Sequence, residues 1–318
     1  MIVSVALAAY CLLDLAISAF VAILWRTRAM APADLPPSVR ARRLMLLRLA
    51  PGISATLITI AVVTPAFAIF EPHYTGEAAG PALLLLAGAA LAQIVAALAR
   101  SIRSLMLTAT VERQWLRGSS TLDVAGSMPV FAVDSPSPIV ALVGVFAPKL
   151  VAARSIIDAC TSEEVACIVA HERGHLRSWD NTKRWAMASL PDALSWTPIH
   201  REMLDAWHHA AEDAADDAAT GGEEMARTEL AALLLKVVRL APQPQWESAI
   251  VSPFVEEHGL ERRVRRLLKP ELEPPAPLAI VPMVAVTSIV IAMLAALASP
   301  DALEAIFEAF ETLVALGR

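Results

Sequence analysis

Cysteine is scarce in this chain of 318 residues, which contains only three: Cys11, Cys160 and Cys167. Their spacing is not that of a disulfide framework. We therefore interpret them as core thiols, with metal ligation or redox sensing as the less favoured alternatives. Charged residues make up only 18% of the chain, and the net charge of −6 gives no signal of nucleic-acid binding.

Apolar residues are abundant instead: they make up 56% of the chain, and the mean hydropathy is +0.55. Four apolar segments of about 20 residues are long enough to span a bilayer: Ile2–Trp25, Pro51–Phe70, Pro81–Ala99 and Pro277–Ala298. Any one of them alone would fit a buried core helix, but four with charged flanks favour membrane helices. Asp14 is costly in lipid, so we expect it to face other helices. The first segment lacks a basic leader and a cleavage site, which favours a retained helix.

Arginines predict the orientation of these segments. They are concentrated after the first and third segments, whereas the loop Glu71–Gly80 has none. The positive-inside rule then predicts an outside amino terminus and a cytosolic region 100–276 in a bacterial inner membrane. The predicted domains are three membrane helices in 1–99, this cytosolic region, a fourth membrane helix at 277–298 and an amphipathic tail at 299–318. The tail could lie on the membrane surface or bind a partner.

The motif His171-Glu172-Arg173-Gly174-His175 carries the main chemical signal. On a helix, two histidines four residues apart share one face and can bind one metal ion, for which Zn²⁺ is suited. Glu172 would lie beside the open coordination position and act as general base. The capping pattern at Thr161–Glu164 supports a helix here. The plain alternative is a surface helix with two solvated histidines.

A third ligand is predicted downstream, on a second, alanine-rich helix. Glu212 and Asp216 are four residues apart, so Glu212 can bind the metal while Asp216 orients a ligand histidine. The alternative is an acidic solvated face, since Asp213 and Asp217 are also acidic. Because Glu212 follows the His171–His175 motif in the sequence, we favour the metal-binding interpretation.

The two motifs together, in a hydrophobic chain, resemble those of gluzincin-type membrane peptidases. Trp196-Thr197-Pro198 and Glu71-Pro72 are closer to the BlaR/MecR sensor-transducers and their sensorless relatives. The sequence 168–175 followed by Asp180 is also similar to the HtpX and CAAX-prenyl endopeptidase groups. The resemblance implies a zinc metalloendopeptidase with one Zn²⁺ per chain. No S-x-x-K motif of a penicillin-binding sensor occurs in the chain.

We therefore predict a mainly α membrane protein with a cytosolic α+β peptidase domain and a small β-sheet. Strands are expected at 130–133, 138–145 and 149–152, and helices at 161–178, 181–190, 200–220, 223–240 and 255–268. In peptidases of this kind an edge strand beside the zinc binds the substrate backbone. We assign that role to Val140, Ala141, Leu142, Val143, Gly144 and Val145, with a plain core strand as the alternative.

Three further residues are candidates for binding the oxyanion or the substrate. Arg263-Val264-x-x-Leu267 resembles an element of the HtpX group, but His258 is one residue nearer to Arg263 than that group's pattern implies. The alternative for this arginine cluster is a lipid-facing basic patch. His208 lies four residues before Glu212 and could point toward the metal; otherwise His200, His208 and His209 are surface or supporting groups.

The predicted function is regulatory cleavage of a cytosolic or membrane protein, for example a repressor. Membrane-protein quality control and prenyl-protein processing keep the same chemistry. A non-catalytic scaffold with a structural zinc site is the alternative from another class. The predicted partners are a protein substrate and the lipid bilayer, with a partner or oligomer contact through the C-terminal helix, and no nucleic acid.

Overall fold

The structure is a computed structural model. It describes residues 1–27, 35–70, 79–122, 128–135, 139–240, 251–253 and 257–269, together with positions 304, 305, 308 and 312. The predicted fourth membrane helix Pro277–Ala298 and most of the predicted amphipathic tail lie outside these residues.

Among the described residues, three helices are long and apolar enough to cross a membrane. The first, α1, is Ile2–Arg26. The second consists of α2 (Pro37–Ile58), a π-helical turn (Thr59–Val63) and α3 (Thr64–Phe70), which follow one another without a break. The third, α4, is Pro81–Leu116. These helices indicate that the protein is associated with a membrane.

The second helix begins earlier than the sequence predicts. It starts at Pro37 rather than at Pro51, so Arg40 and Arg48 lie on a helix and not in a loop. A proline inside a helix removes one backbone hydrogen bond and costs about 3 kcal/mol. The packing of Leu44 and Leu47 in the core offsets this cost and keeps the helix continuous through Pro51.

A mixed five-stranded sheet follows α4, in the order β1-β2-β4-β3-β5. Its strands are β1 (Ser120–Leu122), β2 (Val130–Val133), β3 (Val140–Val143), β4 (Lys149–Ala153) and β5 (Val251–Pro253). The pair β2–β4 is parallel, and the other pairs are antiparallel. β3 and β4 form an antiparallel hairpin, and their positions agree with the strands expected at 138–145 and 149–152.

The prediction that Val140–Val145 is an edge strand is wrong. β3 pairs with β4 on one side and with β5 on the other, so its backbone groups are already bonded. It ends at Val143, because Gly144 has a φ of +120° and turns the chain toward β4. All four strand residues are buried, as the alternative of a core strand predicted.

The sheet is covered on both faces. On one face, Val111 of α4 packs against Ala141 and Val151, so the third apolar helix continues directly into the folded domain. On the other face, Leu142 and Leu150 belong to a core shared with the helices that follow. These helices are α5 (Arg154–Ala159), α6 (Ser162–Ser178), α7 (Asp180–Ser189), a 3-10 turn (Ala193–Trp196), α8 (Pro198–Thr220), α9 (Glu224–Leu240) and α10 (Glu257–Leu268).

Candidate metal centre

Helix α6 carries both histidines of the motif. It starts with a capping box: Thr161 accepts a hydrogen bond from the Glu164 backbone, and the Glu164 side chain accepts one from the Thr161 backbone. It ends at Trp179, whose left-handed backbone (φ 58°) redirects the chain into α7. His171 and His175 share the buried face of α6, and their Nε2 atoms lie 3.2 Å apart.

Glu212 on α8 completes a set of three converging ligand atoms. One carboxylate oxygen lies 3.6 Å from Nε2 of His171, and the other lies 3.3 Å from Nε2 of His175. The ligand atoms of the three residues all lie within 4.8 Å of one another. A tetrahedral Zn²⁺ with bonds of about 2.0–2.2 Å holds its ligand atoms roughly 3.3–3.5 Å apart. The spacing found here therefore fits an ion of this kind.

Two aspartates hold the far nitrogens of the histidines. Oδ1 of Asp216 lies 3.0 Å from Nδ1 of His171, and Oδ2 of Asp180 lies 2.8 Å from Nδ1 of His175. Such contacts keep each Nδ1 protonated, so that each Nε2 lone pair faces the metal position. The structure thus places Asp216 where the sequence predicted it.

Arg263 lies behind the acidic residues of α8 and is buried. Its Nε and Nη2 donate to the two oxygens of Asp216 at 3.0 and 2.6 Å, and its Nη1 lies 2.9 Å from Glu212 Oε2. The Arg263 guanidinium therefore holds both the proposed metal ligand Glu212 and the orienting residue Asp216 in place. The alternative of a lipid-facing patch does not apply to this arginine.

The pKa values reflect an excess of negative charge at the site. Four buried carboxylates, those of Glu172, Asp180, Glu212 and Asp216, surround the histidines, against one buried guanidinium. Burial lowers the pKa of His175, but Glu212 and Asp180 outweigh it and raise that pKa to about 10. Burial raises the pKa of Glu212, but Arg263 and His175 outweigh it and hold that pKa well below its usual range. A divalent cation would supply the positive charge that the protonated imidazoles otherwise provide.

Glu172 is the clearest sign of a ligand-binding site. It is fully buried, and among the described residues neither of its carboxylate oxygens has a hydrogen-bond partner. Burial raises its pKa to about 7, although the neighbouring histidines lower it. A buried carboxylate without partners is costly, which indicates that it faces a bound group such as a metal-bound water.

Residues 127–267 match the family model described as BlaR1 peptidase M56. This match supports assigning the segment to the BlaR/MecR-type M56 peptidases. A comparison with curated proteins gives no match. The matched segment contains all the ligand and orienting residues described above, and M56 peptidases are metallopeptidases. With the three apolar helices, the family match suggests a membrane metallopeptidase. The likeness to the HtpX and CAAX groups stays a prediction.

Gly174, which lies inside the His171–His175 motif, allows α6 and α8 to approach closely. A Cβ on Gly174 would lie 3.1 Å from Cα of Ala215, 3.3 Å from its Cβ and 3.5 Å from Cβ of Ala218. Glycine on one helix and alanine on the other therefore bring Glu212 within reach of the histidines.

Among the other histidines whose side chains the structure describes, His208 lies nearest to the metal ligands. Its Nε2 is 3.9 Å from Oε1 of Glu212, and its Nδ1 is 2.9 Å from Nη2 of Arg184 on α7. His200 lies away from the ligands and bonds to Arg48. The side chain of His258 lies outside what the structure describes.

The acids Asp213 and Asp217 of α8 pair with arginines rather than standing alone in solvent. Asp213 is fully buried and bonds to Arg262, while the more exposed Asp217 bonds to Arg266 on the same helix α10. The arginines of α10 that point toward α8 thus pair with its acids.

Sequence reasoning missed two residues of the site. Asp180 appeared only as part of the family likeness, although an aspartate just past the end of the motif helix is a signal for an orienting partner. Arg184 gave no signal, because only the packing of α7 beside α8 brings it to His208.

Proposed function

We propose that the protein is a zinc metalloendopeptidase in which His171, His175 and Glu212 hold one Zn²⁺ per chain. The observation that supports this most is the buried, unpartnered carboxylate of Glu172 beside three converging ligand atoms. Two imidazoles and one carboxylate leave a fourth position open, which is typical of catalytic rather than structural zinc sites.

When bound, the ion supplies Lewis acidity, which acidifies water and polarises a carbonyl group. Glu172 accepts the proton of the attacking water and then passes it to the nitrogen of the leaving amine.

Among the candidates for binding the oxyanion, His208 is the one we propose. Arg184 is a permanent donor, so its Nη2 donates to Nδ1 of His208 at 2.9 Å, and the proton of the neutral imidazole is then on Nε2. That N–H lies near the ligand Glu212 and can donate to the developing negative charge on a carbonyl oxygen. Arg263 is less suited to this role, because its three nitrogens already contact Asp216 and Glu212.

Glu172→Gln tests the mechanism. This variant is expected to retain stoichiometric zinc and to lose cleavage by about 10²–10⁴-fold, because only the base is removed. His171→Ala is expected to lose both zinc and cleavage. If the Glu172→Gln variant cleaved at the wild-type rate, the assignment of the base would be wrong.

The proposed substrate is a regulatory protein, such as a repressor or a signalling protein. Comparing the proteomes of cells that express wild type or Glu172→Gln would identify it, since a true substrate accumulates only with the variant. A broad set of membrane-protein fragments would favour quality control, and cleavage confined to lipidated C-terminal motifs would favour prenyl-protein processing. A partner bound equally by both proteins, with no cleavage by wild type, would favour a scaffold with a structural zinc site.

We also propose an inner-membrane location with the amino terminus outside and the peptidase region in the cytosol. This rests on the arginines after the first and third apolar helices and on their absence from the loop 71–80. Reporter fusions at residue 1 and at residue 120 would give opposite signals if this orientation is right.

A further inference from the structure

Helix α8 is held from behind by a part of the chain that lies outside the matched peptidase segment. Residues 37–50 of α2, which we term the α2 arm, pack along it. Ala41 and Leu44 of the arm share a core with Trp207, Ala210 and Ala211. Ala211 directly precedes the ligand Glu212, so the arm supports α8 immediately behind the metal position.

Two arginines bond the arm to α8, one in the second half of the helix and one near its start. Arg40 Nη2 lies 2.5 Å from Oδ2 of the buried Asp213, next to the ligand Glu212. Arg48, further along α2, bonds near the start of α8, where its Nε donates to Nδ1 of His200 at 2.9 Å. The arm and α8 therefore run antiparallel.

The environment of Arg48 allows little freedom. Its side chain is fully buried, and its Nη1 and Nη2 donate to Asp192 at 2.6 Å and to Ser195 at 3.0 Å. Burial and, second to it, the positive charge of Arg48 lower the pKa of His200 to about 4. This histidine therefore stays neutral, and its Nδ1 accepts the hydrogen bond from Arg48. Because all three partners lie on the start of α8 or the turn before it, sliding the arm would break charge-assisted bonds in a buried site.

The turn before α8 is also bonded to the apolar helices. The Ala193 backbone donates to Asp14 of α1 at 2.8 Å, and the Tyr10 hydroxyl of α1 donates to the carbonyl of Pro191. A Cβ on Gly52 of α2 would lie 3.2 Å from that same carbonyl. The start of α8 is thus fixed by α1 and α2 together.

We propose that Arg48, supported by Arg40, is a positioning residue of the metal site. It sets the position of α8 and so brings Glu212 to the distance from the two histidines that metal binding needs. The membrane helices are then part of the scaffold of the site, and a shift of α2 along its axis alters metal coordination. The catalytic part of this inference rests on the proposed function, whereas its metal-binding part does not.

The test uses the full-length protein in detergent and measures Zn²⁺ affinity by competition with a chelator. Arg48→Gln and Arg40→Gln are expected to weaken Zn²⁺ binding by about 10-fold or more, in line with other groups that support metal ligands. Arg48→Lys is expected to recover part of the affinity. Arg265→Gln is the matched control, because among the residues that the structure describes Arg265 pairs with Glu261 on the exposed side of α10. The zinc affinity of this variant is expected to equal that of wild type.

The visible spectrum of the Co²⁺-loaded protein separates positioning from general stability. A changed Co²⁺ spectrum in folded Arg48→Gln or Arg40→Gln supports positioning, since a merely less stable protein keeps the wild-type spectrum. In Arg40→Gln the buried Asp213 still pairs with Arg262, so we expect this variant to fold. It can therefore be used for the test if Arg48→Gln does not fold. Wild-type affinity and an unchanged spectrum in the folded variants would overturn the inference.

The two proposals fail in different ways. If wild type binds zinc and cleaves nothing while Arg48→Gln binds zinc weakly, the peptidase proposal fails and the positioning role stands. If wild type cleaves in a Glu172-dependent way and Arg48→Gln matches it in kcat, KM and zinc affinity, the positioning role fails alone.

Discussion

Replacing Gly174 by alanine should disturb the metal site by pushing two helices apart. The new Cβ would lie 3.1 Å from Cα of Ala215, on a backbone that cannot rotate away. Carbon atoms in contact prefer about 3.5–4.0 Å, so α6 and α8 must separate by roughly 0.4–0.9 Å. Metal–ligand bonds tolerate about 0.2 Å. The ligands on α6 and the ligand on α8 therefore cannot all keep good bonds to one ion.

We expect Gly174→Ala to weaken Zn²⁺ binding by about 10–100-fold, which corresponds to about 1.4–2.7 kcal/mol. The folded state should also lose about 1–3 kcal/mol through overpacking. Competition with a chelator gives the affinity, and thermal unfolding of the metal-free protein gives the stability change.

Gly88→Ala is the matched control for this prediction. Gly88 also lies inside a helix, α4, but a Cβ there meets none of the described residues within 4 Å, so zinc affinity should not change. Gly174→Ala combined with Ala215→Gly removes one of the two close contacts and should recover part of the affinity. Wild-type zinc affinity in folded Gly174→Ala would refute the argument that the close approach of these helices sets the site.

Three further predictions concern the groups around the ligands. Asp180→Asn should weaken zinc binding by about 10–100-fold, as chelator competition would show, because Asp180 orients the His175 ring. His208→Ala should retain zinc and lower kcat by about 10²–10³-fold in a cleavage assay, since it removes a donor to the oxyanion; an unchanged kcat would exclude that role. Metal-free protein should lose stability as the pH rises from about 6.5 through about 10. The reason is that the fold raises the pKa of His175 to about 10, whereas the pKa of a histidine in the unfolded chain is about 6.5. Protonation of His175 therefore stabilises the fold fully below about pH 6.5, and this contribution is lost as the pH rises to about 10. Zinc-loaded protein should not show this loss in thermal unfolding, because its ligand imidazoles are already deprotonated.

The metal site could largely be predicted from the sequence. Helical spacing alone puts His171 and His175 on one face, and the same spacing suggests that Glu212 and Asp216 act together. The structure brings these four residues together. Local patterns are sufficient here because each pair lies on a single helix.

Contacts between distant elements could not be predicted in this way. β5 contains only Val251, Ser252 and Pro253, a stretch too short to show alternation, and it occupies the side of β3 that was predicted to be free. The continuation of α2 through Pro51 was missed because a proline usually ends a helix, and only packing against α8 explains why it does not. The acids of α8 resemble a solvated face until the arginines of α10 are placed beside them.

The length of α4 has a consequence for which substrates can be reached. Its 36 residues extend over about 54 Å at 1.5 Å per residue, whereas the hydrocarbon core of a bilayer is about 30 Å thick. If the lipid begins at Pro81, Val111 lies about 15 Å beyond the opposite surface, and there it packs directly on the sheet. Because α4 is one continuous helix, the sheet of the peptidase segment stays at this height. About five extended residues cover that distance, so a short linker from a membrane anchor is enough to present a cleavable segment.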